Sequence, residues 1–293
     1  MKLKYTILAM LCSIAAPQML SAQAESGEEP WSLEGNVGLN FNQASFSNWA
    51  AGGENSLGIN ALLNYSADYK RDKHLFENRL ELSYGFNKNE STGPRKTTDK
   101  IYLSSVYGYE ISKNLYFGGL MTFQTQFANG YLYGDDEQTL VSTFMAPGYL
   151  TLGCGLTWTP KSWISATLTP ATWREVFVAD QLLSDQGSFG VSPGKRSFAE
   201  LGANLQAVVN KDIMENVNLY SRLILFSNYL EDAQNVDVDW EVQINLKINK
   251  WLSAFVTTNL VYDDTINILR EDGTSGPALQ FKELLGIGVQ LTL

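Results

Sequence analysis

The chain has 293 residues, with 21 Lys+Arg against 31 Asp+Glu and a formal charge of −10, a balance that argues against nucleic acid as a partner. Charged residues make up 18% against the usual ~25%, aromatics reach 12%, and 24 Gly stand beside only 8 Pro. Beyond the first two dozen residues no apolar run reaches the ~18 that a membrane-spanning helix requires, so composition points to sheet, and to membrane sheet.

The N-terminus carries an export signal. Met1-Lys2-Leu3-Lys4 is a positive start, Tyr5 to Ala16 an apolar stretch, and Ser21-Ala22-Gln23-Ala24 a small-residue cleavage region. The chain then divides into a signal peptide over 1–22, an acidic tail over 23–30 and a barrel domain over 31–293. Leu11 before Cys12 excludes lipidation, which needs a small residue at that place. With Cys12 removed, Cys154 is left alone and no internal disulfide forms.

From residue 32 onward the hydrophobic period is two. Leu57, Ile59, Ala61 and Leu63 alternate with Gly58, Asn60, Leu62 and Asn64, and Val238, Trp240, Val242 and Ile244 alternate with Asp237, Asp239, Glu241 and Gln243. Such segments lie near 32–42, 56–70, 74–87, 99–112, 114–127, 148–159, 162–177, 197–210, 216–229, 235–248, 251–264 and 279–293. Several exceed the ~5–6 residues of a soluble strand and suit the ~9–11 of a tilted transmembrane one. Short connections at 70–73, 112–114, 160–161, 211–215 and 249–250 alternate with longer ones at 43–55, 88–98, 128–147, 179–196, 230–234 and 265–278. A soluble sandwich also alternates along its strands, but nothing in it sorts loops by length. The expected fold is all-β: a transmembrane antiparallel up-and-down β-barrel of about 12 strands in the cell outer membrane, both termini periplasmic.

Aromatics bracket the aliphatic face. Tyr69, Phe76, Tyr109 and Trp158 fall near the short turns, and Phe86, Phe127, Tyr229, Tyr262 and Phe281 toward the long loops. The terminal Gly288-Val289-Gln290-Leu291-Thr292-Leu293 resembles the signal read by the outer-membrane assembly machinery, with Gly288, Leu291 and Leu293 as its markers; Leu293 stands where Phe is usual. Two features fit less well. Pro170 interrupts the seventh segment and implies a bulge, and Arg174 and Glu283 land on the nominal lipid face.

The loop Ser45-Phe46-Ser47-Asn48-Trp49-Ala50-Ala51-Gly52-Gly53-Glu54 is unusually apolar. It reads as a loop tucked onto the rim or as an inward constriction, with Asn48, Trp49, Gly52, Gly53 and Glu54 restricting the lumen and Glu54 meeting Arg79 or Arg222. The Asn48-Trp49-x-x-Gly52-Gly53-Glu54 stretch, Thr125-Gln126-Phe127 with Gly130-Tyr131, Ala146-Pro147-Gly148-Tyr149, and Val261-Tyr262-Asp263-Asp264 resemble an exported family typical of Bacteroidota, known as a domain of unknown function. The resemblance covers essentially the whole mature chain. It implies an outer-membrane barrel and brings no substrate and no catalytic residues.

Catalytic chemistry is sparse. His74, the single histidine, falls in a predicted periplasmic turn, Cys154 on the lipid face, and no metal-ligand spacing of Cys and His is present. The chain therefore reads as no enzyme. Inward charges are more numerous: Glu77, Arg79 and Glu81, then Arg222, then Asp237, Asp239 and Glu241. Pairing Ile248 with Leu252 sets Asp237 opposite Asp263, an unfavourable like-charge pair. A lumen Arg, Arg270 from the last loop, simple hydration, or Ca²⁺ held by Asp237, Asp239 and Asp263 could compensate it. No other cofactor is expected. Two functions stay open: a narrow or gated channel or transporter for small solutes, or a structural or assembly-partner barrel with a plugged lumen, acting through its long loops on partner proteins the sequence does not name.

Overall fold

The computed structural model of the protein describes residues 30–45, 54–134, 138–231, 233–269 and 274–292. Twelve strands form the wall: β1 (Trp31–Ala44), β2 (Ser56–Arg71), β3 (His74–Asn89), β4 (Gly93–Ser112), β5 (Leu115–Thr125), β6 (Gly148–Lys161), β7 (Ile164–Phe177), β8 (Ser197–Met214), β9 (Val217–Asn228), β10 (Asp237–Lys247), β11 (Leu252–Tyr262) and β12 (Gln280–Thr292). Each pairs antiparallel with its neighbours in sequence, and β12 returns to β1 through Val37↔Leu291 and Leu39↔Val289. Five residue pairs, Asn36–Asn40 against Gly288–Thr292, join the two ends of the sheet into a ring, and a closed ring is the form in which sheet crosses a bilayer.

The alternation becomes two opposed surfaces. Val37, Leu39 and Phe41 of β1 point out while Asn36, Gly38 and Asn40 point in, and β12 repeats the pattern with Leu285, Ile287 and Val289 outside. Leu285 at 69% and Phe281 at 64% exposure would be costly in water, so the outer face is a lipid-facing one. The aromatic girdle at the short-turn end is real: Trp31 packs on Tyr69 and Phe76, and Tyr107, Tyr109 and Trp158 are exposed beside it. His74 joins this girdle through a 2.9 Å hydrogen bond with the Tyr107 hydroxyl. Cys154 is exposed on the lipid face, as its register required.

Tight connections hold the short-turn end, with Asp72, Asn114 and Asn216 in the left-handed backbone region that Asn and Asp tolerate. At the other end one expected loop is absent. The 88–98 segment extends β3 and β4 as a ladder to Asn89↔Gly93, leaving only residues 90–92 as a turn. Lys96 and Asp99 hold this hairpin against the next loop, where Asp99 accepts the amides of Phe127 and Ala128.

The sequence expectation for Arg174 is overturned. Between Thr169 and Thr172 β7 carries one residue more than either neighbour, since Leu156↔Leu168 is followed by Cys154↔Ala171 and Asn204↔Thr169 by Gly202↔Thr172. The bulge lies at Pro170, whose missing N–H removes a ladder donor. Below it Thr167 and Thr169 are buried inward; above it Thr172, Arg174 and Val176 point inward instead. One extra residue inverts the parity and brings Arg174 off the lipid face. Glu283 shares its outward parity with Phe281 and Leu285 and is exposed there, as expected.

Candidate functional site: the lumen

The inward charges separate into three levels. Near the short turns Arg79 pairs with Asp68 of β2, Nη2 lying 3.0 Å from Oδ2, with Glu77 beside them. Halfway up, Arg222 of β9 reaches Glu81 of β3 at 2.9 Å and Glu241 of β10 at 2.7 Å. Lys100 of β4 binds the same two carboxylates, at 2.6 Å to Glu241. β3 and β9 stand six places apart in a ring of twelve, so this belt crosses the full width of the barrel. The Arg222 guanidinium lies 3.8 Å from the centroid of the Tyr102 ring, and the Tyr220 hydroxyl donates to Glu81 at 2.8 Å. Each carboxylate thus meets two cations in a place where an unpaired charge would be costly.

The third level sits toward the long loops. Arg174 forms ion pairs with Glu200 of β8 and, at 2.6 Å, with Asp237 of β10, and its guanidinium stacks over Phe226 at 3.9 Å. The expected register is present, with Val238↔Tyr262 extending to Asp237 opposite Asp263. Of the compensations that the sequence left open, the structure supplies a lumen arginine, and it is Arg174. Asp239 does not join Asp237 and Asp263 in the acidic group; Asp264 does, with carboxylate oxygens of all three within 4.8 Å. Asp263 is further occupied by the amide and hydroxyl of Thr265, and Asp264 by Asn235. Asp239 lines the cavity between the second and third levels.

A cap that sequence reading treated as plain loop packs over β6 and β7 at the long-loop end. Residues 178–196 contain a short helix α1 (Gln181–Asp185), capped by Asp180 Oδ1 accepting the Leu183 amide at 3.1 Å. Val178, Leu183 and Val191 bury with Ala146 and Val176, and Leu140, Tyr149 and Phe198 pack around them. The loop reaches across to the β11–β12 connection: at Gly190 (φ +79°) a side chain would lie 3.1 Å from Thr265. The signal was present in Asp180-x-x-Leu183, an N-cap ahead of apolar residues, and in the glycines at 187, 190 and 194, all with positive φ.

The apolar loop singled out by sequence, with Asn48, Trp49, Gly52 and Gly53, lies outside the described residues. Glu54 is described and corrects one expectation: it accepts the Ser91 amide at the tip of the β3–β4 hairpin and meets neither Arg79 nor Arg222. Both arginines are held by carboxylates deeper in the barrel. The hydrogen bond lowers the Glu54 pKa from its ordinary value. Since the folded pKa is depressed, this tether is intact at neutral pH and is lost as pH falls through the folded value. The Ser91 amide NMR shift should therefore titrate at a pH below that of an unperturbed glutamate; a midpoint at or above the ordinary value would show that the contact is absent in solution. At the other terminus Gly288 and Leu291 sit in β12 opposite Asn40 and Val37, while Leu293 lies outside the described residues.

Among the described residues, cavities lie on both sides of the belt. One of about 480 Å³ opens at the short-turn level beside Arg79, Asn210 and Tyr220, and one of about 180 Å³ lies under the cap beside Tyr149 and Asp239. A narrower lane of about 80 Å³ follows the β1, β2, β11 and β12 wall past the belt. The lane and the larger chamber share Asn36, Asn64, Glu81, Gln243, Asn245 and Gln290.

With this geometry in hand, similarity to known proteins adds little. The model of a family described as "Protein of unknown function (DUF3078)" matches residues 41–131, which hold two of the four motifs quoted above. No curated protein matches the chain. Among solved structures, the chain is similar to an outer membrane channel from Pseudomonas putida F1, at 12% identity, TM-score 0.40 and coverage of 92% of this chain and 100% of that one. It is also similar to the translocator domain of the autotransporter NalP from Neisseria meningitidis, at 9% identity, TM-score 0.37 and coverage of 90% of each chain. A third, the NanC porin, has 8% identity, TM-score 0.35 and coverage of 88% and 100%.

Proposed function

We propose that the protein is a narrow, side-chain-gated channel for small polar solutes in the outer membrane of a Gram-negative cell. The long loops face outward and both termini face the periplasm, after removal of residues 1–22. The observation that carries this reading is that, among the described residues, the 480 Å³ chamber and the lane beside the belt adjoin at six shared lining residues. Twelve strands lie between the side-chain-filled eight-stranded barrels and the open porins of 16 or more, so a partly obstructed lumen is the expected regime. The belt then acts as the constriction and the 178–196 cap as the outer cover. The lipid bilayer is the main partner, and the C-terminal strand is offered to the assembly machinery during insertion.

A second reading keeps the barrel as a structural or assembly partner, supported by belt and cap both filling the lumen. Planar bilayers separate the two. Purified, heat-modifiable protein should give small, discrete KCl current steps. Bilayers that stay silent with verified insertion would reject the channel and favour the structural role.

A further inference from the structure

We propose that the chamber at the short-turn level, with the lane that runs past the belt beside it, binds uncharged, hydroxyl-rich solutes, namely saccharides of one or two rings; this rests on the channel reading above. The chemistry of the wall leads there. Asn36, Asn40, Asn60 and Asn64 project inward from β1 and β2, and Gln243 and Asn245 from β10. Asn259 and Gln290 extend the row on β11 and β12. A side-chain amide carries two donors and an acceptor with no net charge. Rows of them match hydroxyl groups, which donate and accept, and offer little field to a bare ion. Of the four charged side chains bordering the lane, Glu81, Lys100 and Glu241 are spent on each other in the belt, and Lys282 on β12 stands outside it.

Two further observations point to an occupant. Asn40 is 4% exposed, yet its Nδ2 has no hydrogen-bond partner among the described residues, a costly state for a buried donor. In the same lane Phe255 lies inward against Gly286, where a Cβ would stand only 2.6 Å from the ring Cζ. Leu62 and Leu284 lie nearby on the same surface. Apolar side chains set among amides are suited to the C–H faces of a sugar ring, whose edges carry the hydroxyls. The chamber at 480 Å³, rather than the lane at 80 Å³, falls within the ~300–1,000 Å³ of small-molecule sites, so a ring sits in the chamber and reaches the lane at its edge.

The test uses the full-length folded barrel in planar bilayers under KCl. Maltose should lower the current saturably, while sodium glutamate at equal concentration should not. The Asn64→Leu/Asn245→Leu pair keeps the branched side-chain shape, with more bulk, but removes the amides. It should raise the half-blocking maltose concentration about tenfold, the effect of one or two lost hydrogen bonds. A half-blocking concentration unchanged in the folded double variant, or equal block by glutamate, overturns the inference. If the variant does not fold, wild-type protein decides: maltose should raise its thermal unfolding midpoint in detergent, and no shift together with no block overturns the proposal. A maltose-dependent shift without KCl conductance would sink the channel reading and leave the saccharide site standing.

Discussion

Arg222→Met should destabilise the barrel by about 3 kcal/mol and raise its KCl conductance severalfold. The residue is 2% exposed and its guanidinium bridges Glu81 and Glu241 across the lumen. Removing one partner of a buried ion pair typically costs about 3–5 kcal/mol, because the remaining charge is left uncompensated. Here Lys100 still contacts both carboxylates, which holds the loss toward the low end. Urea unfolding in detergent micelles, followed by heat-modifiable gel mobility, reads the first effect, and single-channel recording the second. The two need not move together. A stable variant with unchanged conductance would show that the belt is neither a brace nor a constriction.

Neutralising the whole belt separates charge from packing. Glu81→Gln, Lys100→Met, Arg222→Met and Glu241→Gln combined remove both partners of every ion pair in the belt, and replacing a buried ionic group by neutral side chains of similar volume is often neutral or stabilising. The quadruple variant should therefore recover most of the stability lost in Arg222→Met. Its conductance should stay high, because the attraction that draws long side chains across the lumen is gone. If it is as unstable as the single variant, the contribution of Arg222 lies in its stacking on Tyr102.

The strands were legible in sequence because a two-sided wall imposes a period that few other structures share. Register between adjacent strands was legible where a short turn fixes it, as for Asp237 and Asp263 across the 248–251 connection. The belt was not. Glu81, Arg222 and Glu241 could each be assigned to the inner face, but strand tilt decides which residues of β3 and β9 share a height, and tilt is a property of the closed ring. Lys100 escaped notice for the same reason. The cap was hidden differently, since α1 has five residues and too few turns to show a helical period.

The parity of β7 was the sharpest failure, and it carries the last prediction. Gly155→Val should leave little folded, membrane-inserted protein, or cost at least about 3 kcal/mol where it folds. Gly155 faces the bulge at Pro170, and a Cβ there would collide with the Leu168 carbonyl oxygen and stand 2.8 Å from the Thr169 Cα. Both are backbone atoms that cannot rotate away. Overpacking alone costs about 1–3 kcal/mol. If the strand relieves the clash by losing its extra residue from the ladder, Arg174 returns to the lipid side, adding about 2–4 kcal/mol at the midplane and less toward the rim. Glu200 and Asp237 would then lose the arginine they share. Gly119→Ala is the control, because its Cβ would meet nothing closer than 3.4 Å, and it should fall within about 0.5 kcal/mol of wild type. Wild-type folding of Gly155→Val would mean that β6 does not press on the bulge. Arg174 would then owe its inward position to its carboxylate partners rather than to the backbone that Pro170 and Gly155 shape together.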